Sequence, residues 1–290
     1  QNPSSKRLFQ SGKLTNNVVV KNAHLINTAE LEFSPVFYQT GMVYVSSRFT
    51  EGPKDKNIGE TFFELFFSDT DRNGIPLKPE VFSLEINSQK HEGPVTFNEE
   101  FNEIYFTRNS DVPSTKKGAN GKFKNMQQIY TAKKGLYDWK EVEKLSFNND
   151  NYHCMHPSLS LDGQQLYFTS DMPGGYGGTD IYVSMKRGNS WSKPKNLGAT
   201  VNSERNDAFP FIHESGTLFF SSSRQPGFGG FDVCRTRMCR DPDHRHRQGS
   251  GRDRSQPRQD RGDGRGRDRH IDRLGGDPCW HRLAPVCVFS

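Results

Sequence analysis

The chain has 290 residues, a formal net charge of +5 and a hydrophobic content of only 32%. No apolar run reaches the roughly 20 residues that a membrane-spanning helix needs, so the sequence predicts no direct membrane span. Residues 1–234 hold 25 basic and 26 acidic side chains, whereas residues 235–290 hold 14 arginines and 8 aspartates. Because the main part of the chain is close to neutral, its charge argues against nucleic acid as a partner.

A repeat organises the chain up to residue 234, after an N-terminal extension over residues 1–16. Four segments combine a proline-containing strand, a tight turn and an aromatic strand that ends in Ser or Thr. They read FSPVFYQTGMVYVSSR, EGPVTFNEEFNEIYFTRN, MHPSLSLDGQQLYFTSD and AFPFIHESGTLFFSSSR. The prolines and aromatic residues aligned in this way are Pro35, Pro94, Pro157 and Pro210, and Tyr44, Tyr105, Tyr167 and Phe219.

Each unit continues with a third strand, and the first three units add a fourth element. The third strands read ETFFELFFSD, MQQIYTAKK, GTDIYVSMK and GFDV, and the fourth elements read PEVFSLEIN, WKEVEKLSFN and WSKPKNLGATVN. The N-terminal NNVVVKNAHLIN looks like one more copy of that fourth element. Alternating apolar residues and turns rich in Asn, Asp and Gly indicate antiparallel hairpins. The pattern predicts an all-β fold, a β-propeller of four-stranded antiparallel blades over residues 17–234, with a β-sandwich as the rival.

The fourth unit stops after its third strand, so the sequence predicts a partial propeller of about three and a half blades. A propeller closes by pairing strands from its two ends, which removes the exposed sheet edges. We therefore expect an open arc that does not close into a ring.

Residues 235–290 form an Arg/Asp-rich low-complexity tail that contains no Lys and no Glu. One interpretation is a disordered segment that buries too little apolar surface to fold. The other is an aberrant sequence produced by a shift in reading frame, because the change in composition begins in the middle of a strand. Neither interpretation gives the tail a strand with which to complete the fourth blade.

The stretch HPSLSLDGQQLYFTSDMPGGYGGTDIYVS resembles the TolB-like propeller repeat of bacterial envelope proteins. Together with FELFFSD, HEGPVTF and NDAFPFIHESGTLFF, it is similar to the propeller region of Bacteroidetes-type OmpA-family proteins, including PorE-like components of type IX secretion. The resemblance covers about residues 17–234. It implies a non-enzymatic scaffold in the periplasm, associated with the outer membrane, whose partners are other envelope proteins. Peptidoglycan would be bound only through a domain that this chain does not show.

The glycine-rich loop SDMPGGYGGTDIYVS has a second copy, SSRQPGFGGFDV. Both copies lead into a strand and not into a helix, so neither provides the helix N-terminus that receives a phosphate. The loop is therefore predicted to be a repeated connection within the blades. Its aromatic residues, Tyr176 and Phe228, are candidates for glycan binding at the propeller rim.

Five polar residues stand next to the first strand of a repeat: Glu32, His91, Glu92, His156 and Asp207. If these strands line a central channel, the five side chains gather at one mouth and form a candidate binding site. The alternative is that they are ordinary solvated residues at strand ends. No G-x-S-x-G or HExxH motif is present, and we predict no catalytic residue and no cofactor.

Residues 69–80, DTDRNGIPLKPE, match the calcium-loop pattern, with Asp69, Asp71, Asn73 and Glu80 as the oxygen ligands. Yet Pro76 and Pro79 lie where the exiting helix would begin, and the flanking residues read as strands. The same residue types are what a hairpin turn requires. We therefore predict no metal site here, and keep the calcium loop as the alternative.

Cys154, which lies well inside the repeats, has no evident partner, which argues against a disulfide framework and favours a small buried side chain. The leading hypothesis is a non-enzymatic scaffold whose propeller mediates protein–protein interaction in envelope assembly or secretion. The alternative is a periplasmic hydrolase or lyase, or a glycan-binding propeller, that uses the His, Glu and Asp residues of the channel mouth.

Overall fold

A computed structural model describes residues 22–49, 54, 61–117, 123–225, 227, 229–238 and 286–288. These residues form strands and turns, which confirms the predicted all-β class. The described part of the chain contains no helix with the length and apolar character that a membrane crossing requires. The predicted extension over residues 1–16 and most of the tail lie outside the described residues.

The strands form four antiparallel sheets, and each sheet is one blade. The first blade comprises β1 (Glu32–Tyr38), β2 (Gly41–Ser46), β3 (Glu64–Asp69) and β4 (Glu80–Val81). The second comprises β5 (Glu92–Phe97), β6 (Glu103–Lys117), β7 (Phe123–Lys134) and β8 (Trp139–Lys144). The third comprises β9 (Cys154–Leu159), β10 (Gln165–Ser170), β11 (Asp180–Arg187), β12 (Ser190–Trp191) and β13 (Lys195–Asn196). The fourth comprises β14 (Asp207–Ile212), β15 (Thr217–Ser222), β16 (Asp232–Arg237) and β17 (Val286–Val288).

The blades follow one another in a propeller-like arrangement, as predicted. The first strand of each blade contacts the first strand of the next, from β1 to β5, β9 and β14, so these strands line the inside of the arc. Among the described strands, none of the first blade contacts a strand of the fourth. The contacts between blades therefore run in series.

The end of the repeat differs from the prediction in two respects. β16 continues to Arg237, beyond the predicted boundary at residue 234, and β17 pairs with it as a fourth strand. The strand was missed because its three residues lie in the short stretch LAPVCVFS, far along the chain from β16 and after an arginine-rich segment. Cys234, which lies opposite Cys287 in this register, is disulfide-bonded, so the expected absence of a disulfide is wrong here. Cys154 is free and fully buried, as predicted.

Each pair of neighbouring blades shares an apolar core built from alternate residues of the middle strands. Burying one such side chain contributes about 1.5–3 kcal/mol, so these cores are the main attraction between blades. Buried members, in the order of the three interfaces, are Leu65 and Phe106, then Ile129 and Phe168, then Ile181 and Phe220.

The backbone register corrects part of the predicted repeat alignment. The residues that stand opposite the first residue of each blade are Ser46, Arg108, Ser170 and Ser222. Two residues before these positions lie Tyr44, Phe106, Phe168 and Phe220, which are therefore equivalent. The predicted alignment of Tyr44 with Tyr105, Tyr167 and Phe219 is wrong by one residue. The difference matters because a shift of one residue places a side chain on the other face of the sheet.

A one-residue bulge interrupts the first strand of every blade near the repeated proline. Ser34, His156 and Phe209 directly precede their prolines and have φ values of 51°, 54° and 52°. In the second blade Pro94 itself occupies the equivalent position. Because proline holds φ near −65°, it cannot adopt this conformation, and the bulge there is shifted by one residue. The predicted alignment of Pro94 with the other prolines is therefore one residue out of register.

The asparagine that ends the fourth element holds the third strand in each of the first three blades. In the first blade, Asn87 accepts the Leu65 N–H at Oδ1 and donates from Nδ2 to the Leu65 carbonyl, both at 2.9 Å. Asn148 makes the same two bonds with Ile129, and Asn202 makes them with Ile181. These three asparagine clamps satisfy both backbone polar groups of a buried strand residue, as a neighbouring strand would.

Candidate functional site

The five residues predicted at the channel mouth lie on or beside the inner strands. Glu32, Glu92 and Asp207 begin β1, β5 and β14, and the register makes them equivalent to one another. His91 directly precedes Glu92, and His156 lies at the bulge of β9.

Glu92 is fully buried and forms an ion pair inside the second blade. Arg108 Nε donates to Glu92 Oε1 at 3.0 Å, and the Ser88 hydroxyl donates to the same oxygen at 2.6 Å. Arg108 also donates to the carbonyl of Ile86. Burial raises the pKa of Glu92 to about 7, although Ser88 and the charge of Arg108 favour its ionised form. Its oxygens are thus engaged within the protein, which makes Glu92 a structural group.

The same arrangement recurs at Asp207, where Arg224 Nη2 donates to Oδ1 at 3.1 Å and also donates to the carbonyl of Val201. The buried Asp207 carboxylate also accepts hydrogen bonds from the backbone N–H and the hydroxyl of Ser203.

In the first blade Arg48 lies 3.6 Å from Glu32 and donates to the Ile26 carbonyl at 2.7 Å. Burial raises the pKa of Glu32, but hydrogen bonds from Thr28 and Ser46 and the charge of Arg48 bring it below its usual value. We call Arg48, Arg108 and Arg224 the arginine anchors, since each joins the acidic residue of its blade to the preceding fourth element.

His91 joins the first and second blades. Its Nδ1 accepts the backbone N–H of Phe63 at 3.2 Å, and its ring packs at 5.0 Å from the Phe63 ring. His153 accepts the N–H of Gln127 at 3.0 Å in the equivalent position of the third blade. Because an accepting Nδ1 carries no proton, both rings are held as the tautomer with Nδ1 unprotonated.

His156 is the predicted site residue with the most unusual surroundings. Its ring stacks on Phe209, with centroids 3.8 Å apart and an angle of 12° between the planes. Its Nδ1 is buried and has no hydrogen-bond partner among the described residues. Burial lowers the pKa of His156 to about 3, and the charge of His153 acts in the same direction. A neutral ring held in this way is suited to packing between two blades and not to donating a proton.

We expect replacement of His156 by phenylalanine to change how stability depends on pH. A histidine whose pKa is lower in the folded than in the unfolded chain stabilises the fold above the unfolded pKa of about 6.5, and this contribution is lost as the pH falls towards 3. Wild-type protein should therefore lose free energy of unfolding relative to His156→Phe over that range. Urea unfolding at pH 7, 5.5 and 4 measures the difference, and parallel curves would contradict the expectation.

Residues 69–80, which carry the alternative calcium-loop pattern, form a hairpin turn between β3 and β4. Asp71 Oδ1 accepts the N–H groups of Asn73 and Ile75, both at 2.8 Å, and Gly74 adopts the positive φ of 70° that the turn requires. Glu80 begins β4 and pairs with Phe67 across the sheet. Within the described residues no group of three or more His, Cys, Asp or Glu side chains is arranged to hold a metal ion.

The glycine-rich loop of the third blade encloses a carboxylate. Asp180 is buried, and its Oδ2 accepts the Tyr176 N–H at 2.5 Å. A Cβ on Gly177 would lie 1.9 Å from the carbonyl oxygen of Arg205, which explains why only glycine fits there. Tyr176 is half exposed, and the other candidate for glycan binding, Phe228, lies outside the described residues.

A cleft of about 230 Å³ opens between the first and second blades. Its walls are aromatic, and its rim is the turn from Gly135 to Asp138 between β7 and β8. Lys134 Nζ donates to the Tyr38 hydroxyl at 2.9 Å beside it. The aromatic residues of the walls are Tyr38, Phe67, Phe82 and Trp139.

Three large apolar side chains surround this cleft and are almost fully exposed: Leu84 (81%), Leu136 (88%) and Tyr137 (96%). Leu84 is held beside the turn because its N–H donates to Asp138 Oδ2 at 3.0 Å. We call these three residues the hairpin patch. These residues could not be recognised from the sequence because they lie in turns, where apolar residues do not alternate with polar ones.

No family model matches the chain, and no curated protein matches it in sequence. Solved structures of several kinds are similar to it in shape at low sequence identity. TolB from Acinetobacter baumannii is 14% identical, with a TM-score of 0.44 over 73% of this chain and 42% of that one. A puromycin-hydrolyzing peptidase of Mycobacterium tuberculosis is 14% identical, with a TM-score of 0.36 over 69% of this chain and 28% of that one.

A thermostable family-43 glycoside hydrolase is 10% identical, with a TM-score of 0.45 over 70% of this chain and 71% of that one. The chain thus spans less than half the length of the TolB and peptidase chains that it matches.

Proposed function

We propose that this chain is a non-enzymatic propeller scaffold that binds another protein through the hairpin patch. The observation that supports the proposal is the exposure of Leu84, Leu136 and Tyr137 around an aromatic cleft. Large apolar side chains gathered in this way on a surface are typical of protein–protein contact sites, in which aromatic residues are enriched.

The state of the mouth residues also favours binding over catalysis. Glu92 and Asp207 are paired with arginines, and the Nδ1 of His91 accepts a backbone N–H. A general base needs a side-chain atom within reach of a substrate proton, and these atoms already have partners inside the fold. On the sequence resemblance, we place the scaffold in the periplasm, in association with the outer membrane and with envelope assembly or secretion proteins as partners.

A photo-cross-linking amino acid at position 137 tests the proposal, with the same amino acid at the half-exposed position 176 as the matched control. We expect one discrete adduct in cell envelopes from position 137 and none from position 176. The protein recovered in that adduct should bind the purified chain, and the double variant Leu136→Ser/Tyr137→Ser should weaken its binding at least tenfold.

Equal adducts from both positions, or unchanged binding by the double variant, would contradict a site at the hairpin patch. Hydrolysis of any substrate in a hydrolase panel, abolished by His91→Ala or His156→Ala in folded protein, would favour the enzyme alternative.

A further inference from the structure

The fourth blade has an exposed face that is buried in the other three blades. The residues of the first blade that face the second include Val36, Val43, Phe63 and Leu65, which pack in their shared core. The equivalent residues of the fourth blade are Phe211, Phe219, Phe231 and Val233. Phe231 is 52% exposed and Val233 is 45% exposed, whereas Leu65 is fully buried. We call this surface the trailing face.

The first blade carries the opposite half of the same kind of interface. Arg48 holds the Ile26 carbonyl as Arg108 holds that of Ile86, so residues 22–28 sit on the first blade as the segment around Ile86 sits on the second. Asn27 follows Ile26 as Asn87 follows Ile86. Yet Asn27 clamps no strand, and its described side-chain contact is a donation to Asn22 Oδ1. We call residues 22–34 the leading face.

We propose that the trailing face of one molecule docks on the leading face of a second copy of this chain, head to tail. The occupant is a second copy because the leading face carries the equivalents of the groups that contact this face in the other blades. Asn27 has the amide of a fourth asparagine clamp, and among the described residues it holds no strand. Val233 is the equivalent of Leu65, Ile129 and Ile181, and Val288 of β17 stands opposite it in place of an asparagine.

The apolar contacts match in the same way. His91 packs its ring against Phe63 across the first interface, at 5.0 Å. In the proposed interface the equivalent residues are Leu31 and Phe231, and both are more than half exposed. An exposed leucine against an exposed phenylalanine gives an apolar contact in place of the one between histidine and phenylalanine.

The hydrogen bonds between neighbouring blades give a third match. The backbone N–H of His156 donates to Thr107 Oγ1 at 2.9 Å, and that of Phe209 donates to Thr169 Oγ1 at 3.2 Å. Between the first and second blades this bond has neither a donor nor an acceptor. The equivalent residues there are Pro94, which has no N–H, and Val45, which has no hydroxyl. At the proposed interface both are present again, with Ser34 as the donor and Ser221 as the acceptor.

The docked arrangement requires one adjustment in the fourth blade. Val288 of β17 stands opposite Val233, at the place that the asparagine occupies in the other blades. The clamp by Asn27 therefore displaces the last residue pair of β17. The interface is heterologous, so its repetition gives a closed ring or an open chain according to the angle between copies. This assembly does not require the binding function proposed above.

Sedimentation velocity on the full chain at increasing concentration tests the proposal, with two variants that each disable one face. Leu31→Arg disables the leading face and Phe231→Arg the trailing face. We expect wild-type protein to associate and each variant alone to associate at least tenfold more weakly. An equimolar mixture of the two should form a one-to-one complex, because each variant keeps the face that its partner needs. Leu161→Arg, at an exposed leucine outside both faces, is the matched control and should associate like wild type.

A wild-type chain that stays monomeric at all concentrations would overturn the proposal, as would closure of the two faces within one chain. Folded variants that associate like wild type, or that fail to form a complex when mixed, would overturn it too. Circular dichroism establishes that each variant is folded. Should Phe231→Arg fail to fold, Phe211→Arg replaces it, since Phe211 is 57% exposed on the same face.

Discussion

Replacement of Arg108 by methionine is expected to lower the free energy of unfolding by about 3–5 kcal/mol at pH 8. Methionine keeps much of the apolar contact that the arginine stem makes, but it leaves the Glu92 carboxylate buried without its cation. Urea unfolding followed by fluorescence measures the change. Lys133→Met is the matched control, because it breaks an ion pair with Glu141 that is exposed on both sides, and it should have no measurable effect.

The pH dependence of the loss in unfolding free energy shows whether the missing charge or the missing packing of Arg108 causes it. Burial raises the pKa of Glu92 above its unfolded value of about 4.5, so its proton stabilises the fold at low pH and this contribution is lost as the pH rises through about 7. Without Arg108 the ionised form is less favourable still. The difference between wild type and Arg108→Met should therefore be small at pH 4 and grow up to pH 8. A difference that does not change with pH would show that lost packing, and not charge, causes it.

Replacement of Asn202 by alanine is expected to lower the free energy of unfolding by about 1–3 kcal/mol. The change leaves the buried N–H of Ile181 without a partner, whereas its carbonyl keeps the bond from the backbone N–H of Leu197. Urea unfolding at low protein concentration measures the loss. Asn27→Ala is the matched control, because Asn27 clamps no strand in the part of the chain that the structure describes. An equal effect of both substitutions would mean that the asparagine clamps contribute little.

Much of the fold could be predicted because the same residue types recur at equivalent positions of each repeat. Alternating apolar residues, turn glycines and repeated prolines marked the first three strands of every blade, and the structure has them. The register could not be read in the same way. Tyr44 stands beside Val43 and Val45, and all three suit a strand, so only the pairing of Ser46 with Glu32 decides which face the tyrosine occupies.

The candidate site was harder to predict, because its chemistry depends on partners far along the chain. Glu32, Glu92 and Asp207 could be grouped from the sequence, but the arginine anchors that pair with them could not. In the first and fourth blades the arginine lies two residues after the serine that stands opposite the acidic residue. In the second blade the arginine itself stands opposite Glu92. No fixed spacing in the sequence therefore marks the arginine. The hairpin patch carried no periodic signal at all.

The buried thiol of Cys154 is a chemical probe of local opening in the third blade. Burial raises the pKa of this thiol to about 12, and the thiolate is the form that alkylating reagents attack. Cys154 is the free cysteine of the described residues, since Cys234 is disulfide-bonded. Its alkylation requires an opening that exposes the core shared by the second and third blades, so the labelling rate reports how often this core opens.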